Sequence, residues 1–368
     1  MKDNKLVAID LFCGCGGFSY GFKQAGFEMV LGIDIWNDAT ITYKHNIPQA
    51  CVINDDITNV SGQTLLEKLN MKAEDIDVII GGPPCQGFSV SGKRMIDDPR
   101  NKLYKSFVGL VDEIRPKVFV MENVPGLIRL FGGKVKEEVL HDFSSLGYRV
   151  KVKQLSSDAY GVPQQRKRVF FVGLNDEKVS QEIEFEFPEA LYGVGLKPVV
   201  TCKEAISDLD FIPDDVSLGE SIDYKLKATC EYQKLMRQGS DSIKNHSITI
   251  HKEQTKKIIA MVPDGGNYKS LPESLQNTRK VNIAWTRMNS EKPCFTIDTG
   301  HNHHFHYKEN RVPTVRESAR IQSFPDKFEF IGIKTSQLKQ VGNAVPPLMA
   351  EAIGMEIIKI LKGARMNV

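Results

Sequence analysis

The chain has no long hydrophobic run. Its longest stretch without a charged residue, residues 78–92, has 15 residues and is interrupted by Pro83 and Pro84. A membrane-spanning helix needs about 18 or more apolar residues, so none is expected. Near the amino end, Asp10 follows the apolar residues 7–9 directly, which excludes the apolar core of a secretory signal.

An excess of charge is also missing, because 48 Lys and Arg residues against 46 Asp and Glu leave a net charge of +2 over 368 residues. Any affinity for nucleic acid must therefore be local. The seven cysteines show no framework spacing, which argues against disulfides and predicts a reducing, intracellular compartment. Hydrophobic residues make up 41% of the chain, enough for two domains with cores of their own.

Short apolar strands alternate with amphipathic helices through the first half of the chain. This alternation predicts a doubly wound α/β fold, with a parallel sheet covered on both faces. Gly26 is expected to end a first helix, Ser61 to cap another, and a last helix at 346–362 to pack back on the first domain. The predicted strands are Leu6–Phe12, Met29–Ile33, Cys51–Ile53, Val78–Ile80, Val118–Met121 and Val169–Val172.

Polar and glycine residues follow five of these strands. In open α/β sheets ligands bind beyond the carboxyl ends of the strands, so these residues are expected to address one site. They are Cys13–Gly17, Asp34, Asp55–Asp56, Gly81–Cys85 and Glu122–Asn123.

The alternating pattern stops after Leu174. Residues 176–223 hold 13 acidic and 3 basic residues, whereas residues 225–287 hold 12 basic and 5 acidic ones, with Tyr232, Tyr268 and Trp285 interspersed. A basic block with aromatic residues is typical of a surface that contacts phosphates, although a solvated face is the alternative. We predict a catalytic domain at 1–185, a second domain at 186–330 and a returning segment at 331–368.

The first loop favours a nucleoside ligand. Gly14, Gly16 and Gly17 allow a tight turn and a close backbone approach, and Asp34 is placed to accept hydrogen bonds from ribose hydroxyls. Asp56 is a second carboxylate, suited to the amino group of a base. A dinucleotide fingerprint would need glycine where Ser19 stands, which argues against a nicotinamide-dependent oxidoreductase, and a purely structural turn remains the alternative for the glycines.

Cys85 stands in a loop that Pro83 and Pro84 stiffen. A lone cysteine is more often a small buried hydrophobe than a nucleophile. The next strand ends in Glu122, however, and a thiol and a carboxyl at neighbouring strand ends can act on the same small substrate.

Several motifs in order make the sequence similar to the DNA cytosine-5 methyltransferases, including the bacterial modification enzymes. The similarity covers almost the whole chain except a variable region at about 190–310. The matching segments are Asp10–Gly17, Gly82–Ser89, Glu122–Val124, Gln165–Arg168, Arg316–Pro325 and Gln340–Pro346.

This resemblance implies the methyltransferase fold, with a mixed sheet and a smaller, irregular target-recognition domain, and S-adenosylmethionine as cofactor. It implies Cys85 as nucleophile at cytosine C6, Glu122 at N3 and Arg168 at O2. Implied DNA contacts are Gln86, Ser89 and Arg166. Implied cofactor contacts are Phe12, Gly14, Gly16, Gly17, Asp34, Asp56, Ile57, Pro83, Asn343 and Ala344.

The resemblance implies duplex DNA as the binding partner, with the target base flipped out of the duplex into the active site. It also implies a cognate restriction endonuclease as a functional partner. We expect a cytoplasmic monomer, associated with the nucleoid when bound to DNA. A tRNA cytosine-5 methyltransferase is an alternative, because Pro293–Thr296 is similar to that branch, and so is a catalytically silent DNA-binding module. The histidines at 301–306 suggest zinc, but without a Cys-x-x-Cys pair we predict no metal.

Overall fold

The structure, a computed structural model, describes residues 5–84, 102–211, 217, 219–276, 285–297 and 304–366. The chain divides into two compact units. Unit 1 contains Met1–Ser156, Lys167–Glu189 and Pro347–Val368, and unit 2 contains Ser157–Arg166 and Ala190–Pro346. Compared with the predicted domains, residues 157–166 and 331–346 group with unit 2. No helix among the described residues is long and apolar enough to cross a membrane.

Unit 1 is a seven-stranded sheet with helices between its strands. Along the chain its elements are β1 (Val7–Leu11), α1 (Gly17–Ala25), β2 (Glu28–Asp34), α2 (Asn37–Asn46), β3 (Cys51–Asn54), α3 (Gly62–Leu69), β4 (Val78–Gly81), α4 (Lys102–Ile114), β5 (Val118–Asn123), α5 (Lys134–Ser145) and β6 (Tyr148–Ser156). After β7 (Gln164–Gln165), which belongs to unit 2, β8 (Lys167–Asn175) completes the sheet.

The strand order is β3-β2-β1-β4-β5-β8-β6. The first five strands in this order are parallel, whereas β8 pairs antiparallel with both β5 and β6. All six predicted strands are present, and β6 was not predicted. The pattern alone predicted a parallel sheet, which is wrong for β8 and β6, while the mixed sheet that the resemblance implied is confirmed.

Local signals in the sequence account for several helix ends. Gly26 adopts φ 114° at the end of α1, a conformation that favours glycine. The Ser61 side chain accepts a hydrogen bond from the Thr64 amide and caps α3. Both were predicted, and both boundaries are confirmed.

The last helix, α12 (Pro347–Met366), belongs to unit 1 and packs on α1, as predicted. Gly21 makes this packing possible, because a Cβ atom there would lie 2.3 Å from the Pro347 carbonyl oxygen and 2.5 Å from the Ala350 Cβ. The core of unit 1 lies between the sheet and its helices, with Phe107, Phe119 and Phe143 fully buried.

Unit 2 is built from short elements joined by long loops. Besides β7 they are α6 (Cys202–Ile206), α7 (Glu231–Arg237), α8 (Glu253–Ala260), α9 (Glu273–Gln276), β9 (Thr286–Arg287), β10 (Cys294–Phe295), β11 (His304–Phe305), α10 (Val315–Ile321) and α11 (Lys334–Asn343). Buried ion pairs support it. Arg320, fully buried, contacts Asp208 at 3.0 Å and Asp326 at 2.6 Å.

Candidate active site

The glycine loop after β1 is tied to the end of β2. Phe12, Gly14 and Gly16 all have positive φ (66°, 51° and 97°), and Gly16 is the N-cap of α1. The Gly14 amide donates to Asp34 Oδ2 at 2.8 Å, while Asp34 Oδ1 accepts from the Trp36 amide at 2.9 Å. The loop and the carboxylate thus orient each other, and the role of Asp34 toward a ribose stays a prediction.

Asp34 is a partly buried carboxylate. Burial raises its pKa, and the amide donors at Trp36 and Gly14 oppose that rise because they stabilise the charged form. Beside it, the apolar side chain of Ile35 is 68% exposed. Ile35 directly follows the ribose-binding candidate in the sequence, and the sequence analysis did not single it out.

A series of hydrogen bonds between buried polar side chains lies next to the glycine loop. The Ser19 hydroxyl donates to Asp10 Oδ2 at 2.6 Å, and it is 2.9 Å from the Tyr43 hydroxyl. Burial raises the pKa of Asp10 to about 8, with Asp34 nearby adding to the rise. Gly16 lies against the Tyr43 ring, where a Cβ would approach Cδ2 to 2.8 Å. These contacts support the loop from below.

The predicted cofactor residues after β3 have mainly local contacts. Asp56 Oδ1 accepts hydrogen bonds from the amide and the hydroxyl of Thr58, both at 2.9 Å, and so caps a short 3-10 helix. The Ile57 side chain is buried and belongs to the core of unit 1. Their roles toward a cofactor stay predictions.

Glu122 and Arg168 meet at one edge of the sheet because β8 runs antiparallel to β5. Glu122 pairs with Phe170, so Arg168, two residues earlier on β8, lies diagonally opposite on the same face. Arg168 Nε is 2.7 Å from Glu122 Oε1, and each side chain is 13% exposed. The structure therefore brings together two of the three predicted catalytic residues.

The loop after β4 is fastened to the same edge. Asn123 Nδ2 donates to the Pro83 carbonyl oxygen at 3.0 Å, and its Oδ1 accepts from the Val124 amide at 2.8 Å. Glu122 lies close over Gly82, where a Cβ would be 3.1 Å from Glu122 Oε2. This loop leads to Cys85, which lies outside the described residues together with Gln86 and Ser89.

Arg166 lies in unit 2 and is only 2% exposed. A buried arginine of this kind is not part of an exposed charged surface. Its backbone is held by Ser157, whose amide donates to the Arg166 carbonyl at 3.0 Å. The predicted contact of Arg166 with DNA stays a prediction.

Asn343 and Ala344 also lie in unit 2, at the end of α11. Asn343 is exposed and Ala344 is half-buried. The Ala344 carbonyl accepts a hydrogen bond of 2.6 Å from Gln322 Nε2. Gln322 was not singled out by sequence reasoning.

The basic block is only partly a surface feature. Arg287 is buried and donates to the carbonyl oxygens of Val262, His306 and Ile259, so it supports the fold. Tyr232 is buried as well and donates to the Arg320 carbonyl oxygen. Among the described residues of this block, the exposed lysines are Lys225, Lys227, Lys234, Lys252, Lys256, Lys257 and Lys269.

Of the histidines at 301–306 that suggested zinc, His301 and His303 lie outside the described residues, and His306 is bonded to the backbone. His306 Nδ1 accepts hydrogen bonds from the amides of Lys308 and Glu309. Burial lowers the pKa of His306 to about 4, so the ring is neutral. Among the described residues no group of three or more His, Cys, Asp or Glu side chains is arranged to hold a metal.

Comparison with protein families decides what this site belongs to. The family model described as C-5 cytosine-specific DNA methylase matches residues 6–359. The chain belongs to the C-5 cytosine-specific DNA methylases. It is a DNA cytosine-5 methyltransferase that depends on S-adenosylmethionine, as the resemblance implied, and its match spans both units.

Curated relatives agree with this family. The chain is 39% identical to the Type II methyltransferase M1.HphI of Haemophilus parahaemolyticus, covering 96% of this chain and 87% of the relative. It is 40% identical to the Type II methyltransferase M.DdeI of Desulfomicrobium norvegicum, covering 95% and 88%. Relatives of this type fit a methyltransferase of a restriction-modification system.

Solved structures share the methyltransferase fold. A crystal structure from E. coli, described as a prophage-encoded DNA modification methyltransferase, matches with a TM-score of 0.77 and 28% identity, covering 97% of this chain and all of that one. The S. pombe Dnmt2 methyltransferase matches with a TM-score of 0.58 and 16% identity over 98% of this chain and 99% of that one, a likeness of fold alone.

Proposed function

We propose that this DNA cytosine-5 methyltransferase acts on a cytosine flipped out of a specific duplex sequence, through a covalent bond between Cys85 and C6 of the base. The observation that carries the proposal is the Glu122–Arg168 pair, with its 2.7 Å contact. The pair lies beside Gly82 and Pro83, which lead along the chain to Cys85.

The residues at the β1 and β2 ends fit S-adenosylmethionine. Asp34 presents a carboxylate for the ribose hydroxyls, and the exposed Ile35 offers an apolar surface for the adenine ring. The loop that would surround the remaining part of the cofactor owes its shape to Phe12, Gly14, Gly16 and Gly17. When bound, the cofactor supplies an electrophilic methyl group.

We assign the remaining cofactor contacts to Asp56, Ile57, Pro83, Asn343 and Ala344. Pro83 is buried and fixed by Asn123, which suits a rigid contact. Asn343 is exposed at the end of a helix, so its side-chain amide is accessible to a polar group of the cofactor.

Cytosine C5 is a weak nucleophile, and the residues of this site act to activate it. The Cys85 thiolate adds to C6, while Glu122 protonates or hydrogen-bonds N3 and so neutralises the charge that develops on the ring. The resulting enamine makes C5 nucleophilic enough to take the methyl group that the bound cofactor would supply. The C5 proton then passes to water or another base, the electron pair of the C5–H bond re-forms the C5–C6 double bond, and Cys85 leaves as the thiolate. Glu122 takes back any proton it gave to N3, which restores the aromatic ring.

Arg168 has two tasks in this scheme. Its Nε contact holds the Glu122 carboxyl in place, and the resemblance puts its guanidinium at cytosine O2. Because each side chain is only 13% exposed, the pair acts where water screens charges weakly. Gln86, Ser89 and Arg166 are assigned to DNA contacts.

A base inside a duplex cannot reach such a site, so the target must leave the stack. We further propose that the enzyme works as a monomer, with a cognate restriction endonuclease as functional partner, and that it associates with the nucleoid when bound to DNA. Unit 2 would carry target recognition, because it contains the whole basic block, residues 225–287.

Methyl transfer from labelled S-adenosylmethionine tests the proposal. Duplex DNA of mixed sequence and tRNA are compared, and 5-methylcytosine is mapped at single-base resolution. We expect label at C5 in one recurrent DNA motif. Label on tRNA alone would contradict the DNA assignment and leave the catalytic residues in place.

A second experiment tests the nucleophile. DNA with 5-fluorocytosine at the mapped site should trap a covalent complex, because fluorine does not leave as a proton does. The C85A variant should form none, and E122Q should be trapped about 10²–10⁴ times more slowly, with unchanged cofactor affinity. Trapping of C85A would exclude Cys85 as the nucleophile.

A further inference from the structure

Two buried glutamines in unit 2 connect four segments of the chain. Gln164 lies on β7 and Gln322 at the C-cap of α10, and both are fully buried. Gln164 Nε2 donates to Gln322 Oε1, and Gln322 Nε2 donates to the Ala344 carbonyl oxygen at 2.6 Å. Gln164 Oε1 accepts from the Ile297 amide at 3.0 Å.

This chain of hydrogen bonds uses both ends of each side-chain amide. A buried amide without partners costs about 1–3 kcal/mol, so each bond constrains where its partner segment can lie. The series runs from the Ile297 amide through Gln164 and Gln322 to the Ala344 carbonyl. Its last acceptor is in the segment proposed to contact the cofactor.

The end of α10 that carries Gln322 is held rigidly. Thr314 and Glu317 form a capping box at the start of the helix, and Arg320 makes buried contacts with Asp208 and Asp326 near its end. The Phe324 amide donates to the Ala319 carbonyl at 2.8 Å, which fixes the turn that follows. Gln322 therefore projects from a helix end that is held by several contacts besides its own bond to Ala344.

We propose that Gln322 is a positioning residue for the cofactor. Its amide fixes the Asn343–Ala344 segment, and Gln164 in turn holds the Gln322 amide in the orientation that donates to Ala344. The proposal rests on the assignment of Asn343 and Ala344 to the cofactor. Arg166 stands two residues after Gln164, so the same bonds also set the position of β7 and of the residue after it relative to the Asn343–Ala344 segment.

The test is the equilibrium affinity for S-adenosylmethionine, measured by calorimetry on the full-length protein without DNA. Q322M keeps the side-chain volume and removes both bonds. We expect its dissociation constant to rise about 10-fold, which is the loss of a bond worth about 1.4 kcal/mol. Circular dichroism at the same temperature establishes that the variant is folded.

Gln233 offers a matched control. It is also fully buried, accepts from the Thr229 amide and donates to the Ser207 hydroxyl, but these partners are not in the Asn343–Ala344 segment. Q233M should therefore lower stability and leave the dissociation constant unchanged. An equal loss of cofactor affinity in Q233M and Q322M, or none in Q322M, would overturn the proposal.

Gln164 gives an independent readout. Q164M should weaken cofactor binding about 3-fold in the wild-type background and add little to Q322M, because both changes disrupt the same bonds. If the two substitutions had additive effects on the dissociation constant, Gln164 would not act through its hydrogen bond to Gln322. If Q322M does not fold, Q322N is measured instead, since the shorter amide withdraws from both partners and remains polar.

The N343A variant tests separately whether the Asn343–Ala344 segment contacts the cofactor, which is the assignment on which the role of Gln322 rests. Unchanged affinity in N343A would remove the segment from the cofactor site and with it the basis of the inference. Weakened binding in N343A with normal binding in Q322M would overturn only the role of Gln322.

Discussion

At the scale of single residues, Asp10 is a carboxyl that the fold removes from water. It is fully buried, accepts a hydrogen bond from the Ser19 hydroxyl, and lies near Asp34. Burial raises its pKa from 3.8 to about 8, so it is protonated in the folded enzyme at neutral pH. In the unfolded chain the same carboxyl is ionised above pH 4.

This difference predicts how stability depends on pH. Between about pH 4 and pH 8, unfolding releases the proton of Asp10, so the contribution of Asp10 to the free energy of unfolding falls as pH rises. The fall is at most about 1.4 kcal/mol per pH unit, and the contribution levels off above pH 8. D10N keeps an acceptor for Ser19 and cannot ionise. In denaturant titrations at pH 5, 6, 7 and 8, the free energy of unfolding of D10N should increase relative to that of the wild type as pH rises. A difference that is constant with pH would mean that Asp10 is ionised in the folded state.

At the scale of elements, the contact of α1 with α12 depends on Gly21. A methyl group there would meet backbone atoms, the Pro347 carbonyl oxygen at 2.3 Å and the Glu351 amide at 2.7 Å, so the helices must separate. We expect G21A to lower the free energy of unfolding by about 1–3 kcal/mol, as overpacking does. Thermal and denaturant unfolding measure the effect.

Gly109, inside α4, is the matched control. A Cβ there meets no atom within 4 Å, so G109A should stabilise the protein by about 0.5–1 kcal/mol through helix propensity. Equal stability of G21A and the wild type would show that α12 adjusts its position at little cost.

The sequence predicted those elements whose signals are local. Apolar runs identified six strands, and Ser61 and Gly26 marked helix boundaries that the structure confirms. Strand β6 was missed because it lies at the sheet edge, where Lys151 and Lys153 alternate with Val150 and Val152 in place of a continuous apolar run.

The sequence predicted that the site residues lie at the ends of neighbouring strands, but it did not predict which of their side chains contact each other. Motifs placed Glu122 and Arg168 in one site, but their pairing depends on the antiparallel register of β5 and β8, which no local pattern encodes. Burial of Arg166 and Arg287 was unpredictable for the same reason, since their environments come from distant segments.

At the scale of the whole molecule, a net charge of +2 hides a separation of charge along the chain. Residues 176–223 carry a net charge of −10 and residues 225–287 a net charge of +7. Folding buries some of these charges, as with Asp208 and Arg287, and leaves lysines of the basic block on the surface. DNA affinity should therefore depend on particular lysines and not on total charge.

Lys252 and Lys257, exposed at α8 in the basic block, test this expectation. Each lysine that contacts a phosphate contributes about 0.9 to the slope of log affinity against log salt, so K252Q/K257Q should lower the slope by up to about 1.8. K151Q/K203Q removes the same charge from lysines paired with Glu184 and Glu291, and should leave the slope unchanged. Binding to a short duplex containing the target sequence, measured by fluorescence anisotropy between 50 and 300 mM salt, gives both slopes. Equal decreases in the two variants would mean that total charge governs binding, and an unchanged slope in K252Q/K257Q would place the phosphate contacts elsewhere on the chain.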